Sequence, residues 1–339
     1  MQDDLIHKLK SKKVIEYKPK EVIPKSESPI EIIRQDGAII DDSVMVQVKK
    51  MGEHVELRYM RTIPTEMPIL KIDENTYLVK KTGEIKNFKQ SKTRDEQQKS
   101  LKRTFKRLRE LINTNFRGSP NEKFITLTYR KKQRDHEQVY SDFKIWIKKV
   151  RKKYGACDYI NVVEPQASGS WHCHVLIKFY ELPQNHLDYN EFRKLWVHGS
   201  YVNVQNLDNC TNIGAYLSAY LSDVELTDQT LNKACEEMGE IEIKKVVIDG
   251  KEKAFIKGGR LHYYPNKMNL YRRSKGIVEP VKYFSGKSDI DLSDYELTYS
   301  NKIDLKQDEK VVNTIHYENY SKKRHKKSLT ESANLLSEK

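Results

Sequence analysis

The chain has 339 residues, 37% of them hydrophobic, and a formal net charge of +14. That length supports one substantial core or two modest ones. The charge favours a polyanionic partner, nucleic acid or an anionic membrane surface. No apolar run approaches the roughly 20 residues needed to span a bilayer. The first residues, Met1-Gln2-Asp3-Asp4, lack the layout of a secretory signal, so a cytoplasmic protein without a membrane partner is expected. The four cysteines, Cys157, Cys173, Cys210 and Cys235, form no C-x-x-C pair. A zinc knuckle and a disulfide framework are therefore disfavoured.

Residues 1–36 are polar, with Pro19, Pro24 and Pro29, and read as a flexible arm. Residues 37–118 read as a small accessory region. In it, Val44-Met45-Val46 and Tyr77-Leu78-Val79 suggest short strands broken by Gly52 and Gly83. Thr93 and Glu96 fit a capping box opening a helix over 93–116, with Leu101, Phe105, Leu108, Leu111 and Ile112 on one face. Its other surface holds Lys99, Lys102, Arg103, Lys106, Arg107 and Arg109, either a solvated face or a DNA backbone contact.

A second region, 119–225, follows Gly118-Ser119-Pro120. Lys123–Arg130 predicts a strand, and 139–154 an amphipathic helix closed by Gly155. Two strands follow at 158–164 and 171–180, then a helix at 190–198 with Phe192, Leu195 and Trp196 inward. Tyr201–Val204 suggests another strand and 211–223 another helix. A short connection between adjacent strands fits an antiparallel sheet, with helices covering one face: an α+β layer domain. In a C-terminal extension, 226–300, Asp249-Gly250 between apolar runs signals a hairpin. The segment 301–339 is polar, ends in the basic run Lys322–Lys327, and is expected to be a disordered tail.

The chemistry concentrates in Trp171-His172-Cys173-His174-Val175. On a strand, His172 and His174 project together, and two imidazoles can share one divalent ion. Cys173 points to the other face as a small core residue. Glu164 ends the preceding strand, and antiparallel pairing would bring its carboxylate to the rings; otherwise it is a surface charge. Two nitrogens and a carboxylate suit Mn²⁺, with Zn²⁺, Co²⁺ and Ni²⁺ as alternatives, and Mg²⁺ where phosphate and water complete its shell.

Tyr216 and Tyr220 stand four apart on the last helix, so they share one face. A phenol with pKa near 10 is a weak nucleophile at neutral pH. A divalent ion on a scissile phosphate compensates by drawing charge from the non-bridging oxygens. The set therefore suggests attack of tyrosine on a phosphodiester, giving a 5′-phosphotyrosine ester and a free 3′-hydroxyl. A second tyrosine permits a second transfer.

Phe124-Ile125-Thr126-Leu127-Thr128-Tyr129, then Glu164 with His172-Cys173-His174, then Tyr216-x-x-x-Tyr220 resemble, in order, the three motifs of HUH-superfamily rolling-circle replication initiators of plasmids or small phages. The resemblance spans about residues 120–225. It implies a central antiparallel sheet of about five strands with the metal site on one face. It also implies site-specific nicking and joining of single-stranded or hairpin origin DNA, with Mn²⁺ or Mg²⁺ as cofactor and a host helicase and polymerase as further partners. By analogy Tyr220 is the initiating nucleophile and Tyr216 the second. Related initiators often carry a lysine on the tyrosine helix, and none falls there in this chain. A conjugative relaxase or a two-tyrosine transposase shares the chemistry, and a non-catalytic basic nucleic-acid-binding protein is the alternative of another class. The central position of the site and the lack of a G-x-x-x-x-G-K-[ST] loop favour an initiator over a relaxase.

Overall fold

The computed structural model describes residues 28–63, 67–88, 98–166, 169–181, 187–199, 201–207, 224–225, 243–248, 251–256, 260, 263–265 and 268–323. In chain order the elements are β1 (Glu31–Asp36), β2 (Met45–Met51), β3 (His54–Met60), β4 (Ile69–Lys71), β5 (Thr76–Val79), β6 (Ile85–Asn87), α1 (Gln98–Asn115), β7 (Glu122–Thr128), α2 (His136–Tyr154), β8 (Cys157–Pro165) and β9 (Trp171–Phe179). There follow α3 (Tyr189–Lys194), β10 (Tyr201–Asn206), β11 (Val224–Glu225), β12 (Ile243–Ile248), β13 (Lys251–Ile256), β14 (Tyr271–Arg273), β15 (Val281–Gly286), β16 (Tyr295–Gln307) and β17 (Lys310–Lys322). The fold is α+β. Among the described residues, no helix is long and apolar enough to cross a membrane.

The chain divides into two compact units. The first comprises Met1–Gln35, Met60–Gln90 and Lys302–Ile315, and contains the three-stranded sheet β4-β5-β6. The second comprises Asp36–Tyr59, Ser91–Asn301 and His316–Lys339. At its centre is an antiparallel five-stranded sheet in the order β10-β7-β9-β8-β14. Its fifth strand comes from Tyr271–Arg273, beyond the region where the sequence suggested the sheet would be complete.

Period-two alternation sends successive side chains of the central strands into two cores. On one face Ile125, Leu127, Val163, Cys173, Val175 and Ile177 pack with Val139, Phe143, Trp146 and Ile147 of α2. On the other face Phe124, Ile160, Val162 and Leu176 pack with Leu108, Leu111, Ile112 and Phe116 of α1. Two expectations are corrected here. Helices cover both faces, and α1 lies in the core of the sheet rather than in a separate accessory region. The reason is its stripe: Leu108, Leu111 and Ile112 are each 0% exposed, and each such side chain contributes about 1.5–3 kcal/mol by leaving water. The proposed cap at Thr93 and Glu96, like the helix expected over 211–223, lies outside the described residues.

Helix α2 begins earlier than its apolar pattern, because Asp135 caps it by accepting from the Glu137 and Gln138 amides. It ends at Gly155, whose φ of 81° few other residues adopt without strain. Helix α3 stops at Lys194. Trp196, expected on that helix, instead donates its indole N–H to the Thr128 carbonyl at 3.0 Å. The expected hairpin around Asp249-Gly250 is borne out by pairing of Ile248 with Lys251.

A six-stranded sheet in the order β1-β16-β17-β3-β2-β15 completes the fold. Its presence corrects the expectation of a disordered tail from 301, since β16 and β17 are strands of 13 residues each. Asp308 and Glu309 join them with φ of 50° and 63°. A tight hairpin turn with both central residues at positive φ normally carries Asn-Gly or Asp-Gly. Here Asp-Glu stands instead, and the turn was invisible in the sequence.

Hairpin β2–β3 is clasped to α1. The Lys49 ammonium lies 2.8 Å from Glu110 and 2.6 Å from Glu56. Burial works against its charge, and the two carboxylates overcome this and hold its pKa above the ordinary value. Gly52 turns the hairpin at φ 60°, and a Cβ there would meet the Asn113 carbonyl oxygen at 2.5 Å. Gly52→Ala therefore combines left-handed strain, about 1–2 kcal/mol, with a backbone clash. We expect denaturant melts to show a loss of roughly 2 kcal/mol or more, and a neutral result would contradict the clasp.

Candidate active site

The strand pair β8–β9 builds the site. Glu164 lies opposite His172 and Val162 opposite His174, while Thr126 of β7 lies opposite His174 on the other side. Directly paired residues share a face, so Glu164, both histidines and Thr126 project together. This is the α1 face, and the site lies at the end of β9 beyond the apolar patch under that helix.

The three expected ligand residues come together. His174 Nε2 contacts Glu164 Oε2, and the rings of His172 and His174 are 6.4 Å apart at 60°. Phe124 stacks on His174 at 5.6 Å and 10°. His174 is 8% and Glu164 4% exposed, and His172 is half-buried. Glu164 is therefore no surface charge. A carboxylate so deeply buried requires partners. It has two, His174 and the guanidinium of Arg260, which ion-pairs with Oε1. Arg260 also donates to the Pro165 carbonyl at 3.3 Å. Sequence reasoning missed this arginine, and no local signal marks it, since it lies 95 residues along the chain from Pro165.

The outer ring nitrogens are held as well. His172 Nδ1 lies 2.9 Å from the Gln166 side-chain amide, and His174 Nδ1 lies 3.1 Å from Thr126 Oγ1. When the amide oxygen and the hydroxyl accept from Nδ1–H, each ring keeps its Nε2 lone pair for an ion. Burial pushes the His172 imidazole down to about 4, helped by the neighbouring ring, and burial lowers His174 too. Both are thus neutral, the form a metal needs. Among the described residues, no three His, Cys, Asp or Glu side chains stand arranged to hold a metal ion, and Glu164 is engaged by His174 and Arg260 instead. The donor chemistry nonetheless suits a divalent ion: two neutral imidazoles, each with its second nitrogen occupied, beside one carboxylate.

Cys173, between the two rings, faces the α2 core, as expected. Its sulfur lies 2.6 Å from Asn161 Nδ2, and burial pushes the thiol up to about 12. Tyr216 and Tyr220 lie outside the described residues, so their relation to the histidines is not part of this geometry.

The folded His172 ring takes up its proton only well below the unfolded value. Between pH 6.5 and about 4 the unfolded chain gains a proton that the folded chain refuses. Stability of the metal-free protein therefore falls as pH drops through that window. An NMR titration without metal should place the His172 midpoint near 4, and a midpoint at or above the ordinary value would contradict the site's burial.

A family model for replication-associated proteins of the ORF2 type matches residues 122–225. The match opens at the first residue of β7 and closes at the last of β11, taking in both histidines, Glu164 and both tyrosines. Neither the curated proteins nor the solved structures contain a match to the chain. The family match supports a replication-initiator role, with DNA as partner, for this part of the molecule.

Proposed function

We propose that residues 122–225 form an HUH-type nuclease that nicks and rejoins single-stranded or hairpin origin DNA to start rolling-circle replication. One observation carries the reading: Glu164, His172 and His174 converge on one sheet face inside the segment that matches a replication-protein family.

His172, His174 and Glu164 would hold Mn²⁺ or Mg²⁺. When bound, such an ion supplies Lewis-acid polarisation of the scissile phosphate. Gln166 and Thr126 keep the rings in the tautomer that offers Nε2. Arg260 gives the buried carboxylate a counter-charge in the metal-free protein. Tyr220 attacks phosphorus: the Oη–P bond forms, the P–O3′ bond breaks, and the phenol proton ends on solvent or the departing 3′-oxygen. The phosphotyrosine ester conserves the phosphodiester's energy, so the strand is resealed without ATP. Tyr216 accepts a second strand. A host helicase and polymerase would then extend the free 3′ end.

Incubation of the full chain with origin-derived single strands and Mn²⁺ should yield a covalent protein–DNA adduct. The Tyr216→Phe/Tyr220→Phe variant should yield none, and mass mapping should place the first adduct on Tyr220. An adduct that survives the double substitution, or none with any origin strand, sinks the nuclease reading. Gln166→Ala should weaken Mn²⁺ binding roughly 10–100-fold in calorimetry, as loss of ring-orienting partners does elsewhere. Unchanged affinity would show that the histidines do not hold the ion.

A further inference from the structure

The β7–α2 loop carries four cations in five residues, Arg130, Lys131, Lys132 and Arg134. All four are exposed, and none pairs with a carboxylate among the described residues. The loop's backbone is pinned. Arg130 N donates to the His198 carbonyl at 3.0 Å, and Trp171 N donates to the Gln133 carbonyl at 2.9 Å. The Trp171 indole donates to the Arg134 carbonyl at 3.1 Å, and Gln133 N donates to Ser170 Oγ at 3.2 Å. Trp171 immediately precedes His172, so these pins set the basic loop beside the start of the histidine strand.

The basic helix α1 differs in both respects. Its apolar stripe is buried in the sheet. Arg107 is paired with Glu279 at 2.8 Å, and Lys106 lies 3.7 Å from Glu56. Cations already neutralised by the protein have less to gain from a phosphate, whereas unpaired cations on a pre-ordered loop bind without an ordering cost.

We propose that Arg130–Arg134 is the cradle that takes the phosphate backbone of the single strand beside the histidine site. The identity of the strand as DNA rests on the proposed function above. Phosphate contacts of this kind set the position of the strand and carry no base preference.

The test is fluorescence anisotropy of the full chain with a labelled single strand in EDTA, where no nicking occurs, over a series of salt concentrations. Arg130→Ala/Lys131→Ala/Lys132→Ala/Arg134→Ala should weaken binding at least about tenfold and lower the log–log salt slope by roughly 3, at about 0.7 for each phosphate no longer neutralised. On α1, Arg103→Ala/Lys106→Ala/Arg107→Ala should change affinity by less than about threefold. The pins use main-chain groups of the loop, so an unchanged melting temperature is expected for both. Arg130→Lys/Arg134→Lys keeps the charge and should bind like the parent.

An unchanged slope in the loop variant, a larger loss in the helix variant, or an equal loss in the lysine variant would overturn the proposal. So would tighter loop-dependent binding of RNA of the same sequence. A loop effect on DNA binding without any phosphotyrosine adduct would uphold the cradle and remove only the chemistry.

Discussion

The antiparallel register of β8 and β9 is the constraint on which the site depends. Glu164 faces His172 because Pro165 pairs with Trp171 and each later pair follows in step. A slip of one residue would turn both imidazoles into the α2 core and bring Cys173 out to the carboxylate, since side chains alternate with a period of two. The register is protected at several levels. Apolar side chains fill both faces of the sheet, so a slip would misplace every one of them. The turn joining the strands is closed by the Gln166 amide donating to the Ser170 carbonyl at 2.8 Å.

The two helices on opposite faces give the site its electrical character. Helix α1 covers the apolar stretch of the histidine face and leaves the polar end uncapped by its own apolar residues. What remains there is partly shielded from water, so charge must be matched locally. Glu164 meets that need with an arginine that is remote in sequence, and the imidazoles meet it by staying neutral. A site in this state holds one anion and one cation in contact, and the carboxylate must change partners for any other cation to reach it.

The sequence made the catalytic strands legible because their signal is local. The triplet around Cys173, the carboxylate ending β8 and the helix closing at Gly155 are each read from a few adjacent residues. What escaped was non-local or disguised. Helix α1 announced its stripe but not its destination, because any apolar surface would accept Leu108, Leu111 and Ile112. Strand β14 is three residues long and joins the sheet only through pairing with Ile160–Val162 of β8. The β16–β17 hairpin hid among polar residues, with Val311, Ile315 and Tyr317 sparse between Lys, Asn and Glu. Its turn lacked the glycine that would have betrayed it. Arg260 was unreadable for the same reason as β14: its partner lies far away along the chain.

Cys173 adds a consequence for selectivity. Soft ions such as Cu(I) seek sulfur, and a thiolate between two imidazoles would make an attractive trap for them. Here the sulfur points into the interior and keeps its proton throughout the physiological range. Alkylating agents and peroxide, which react with the deprotonated form, find little to attack. The strand thus presents only nitrogen and oxygen to its ligand side, a palette that leaves harder ions free of competition from the chain's own sulfur.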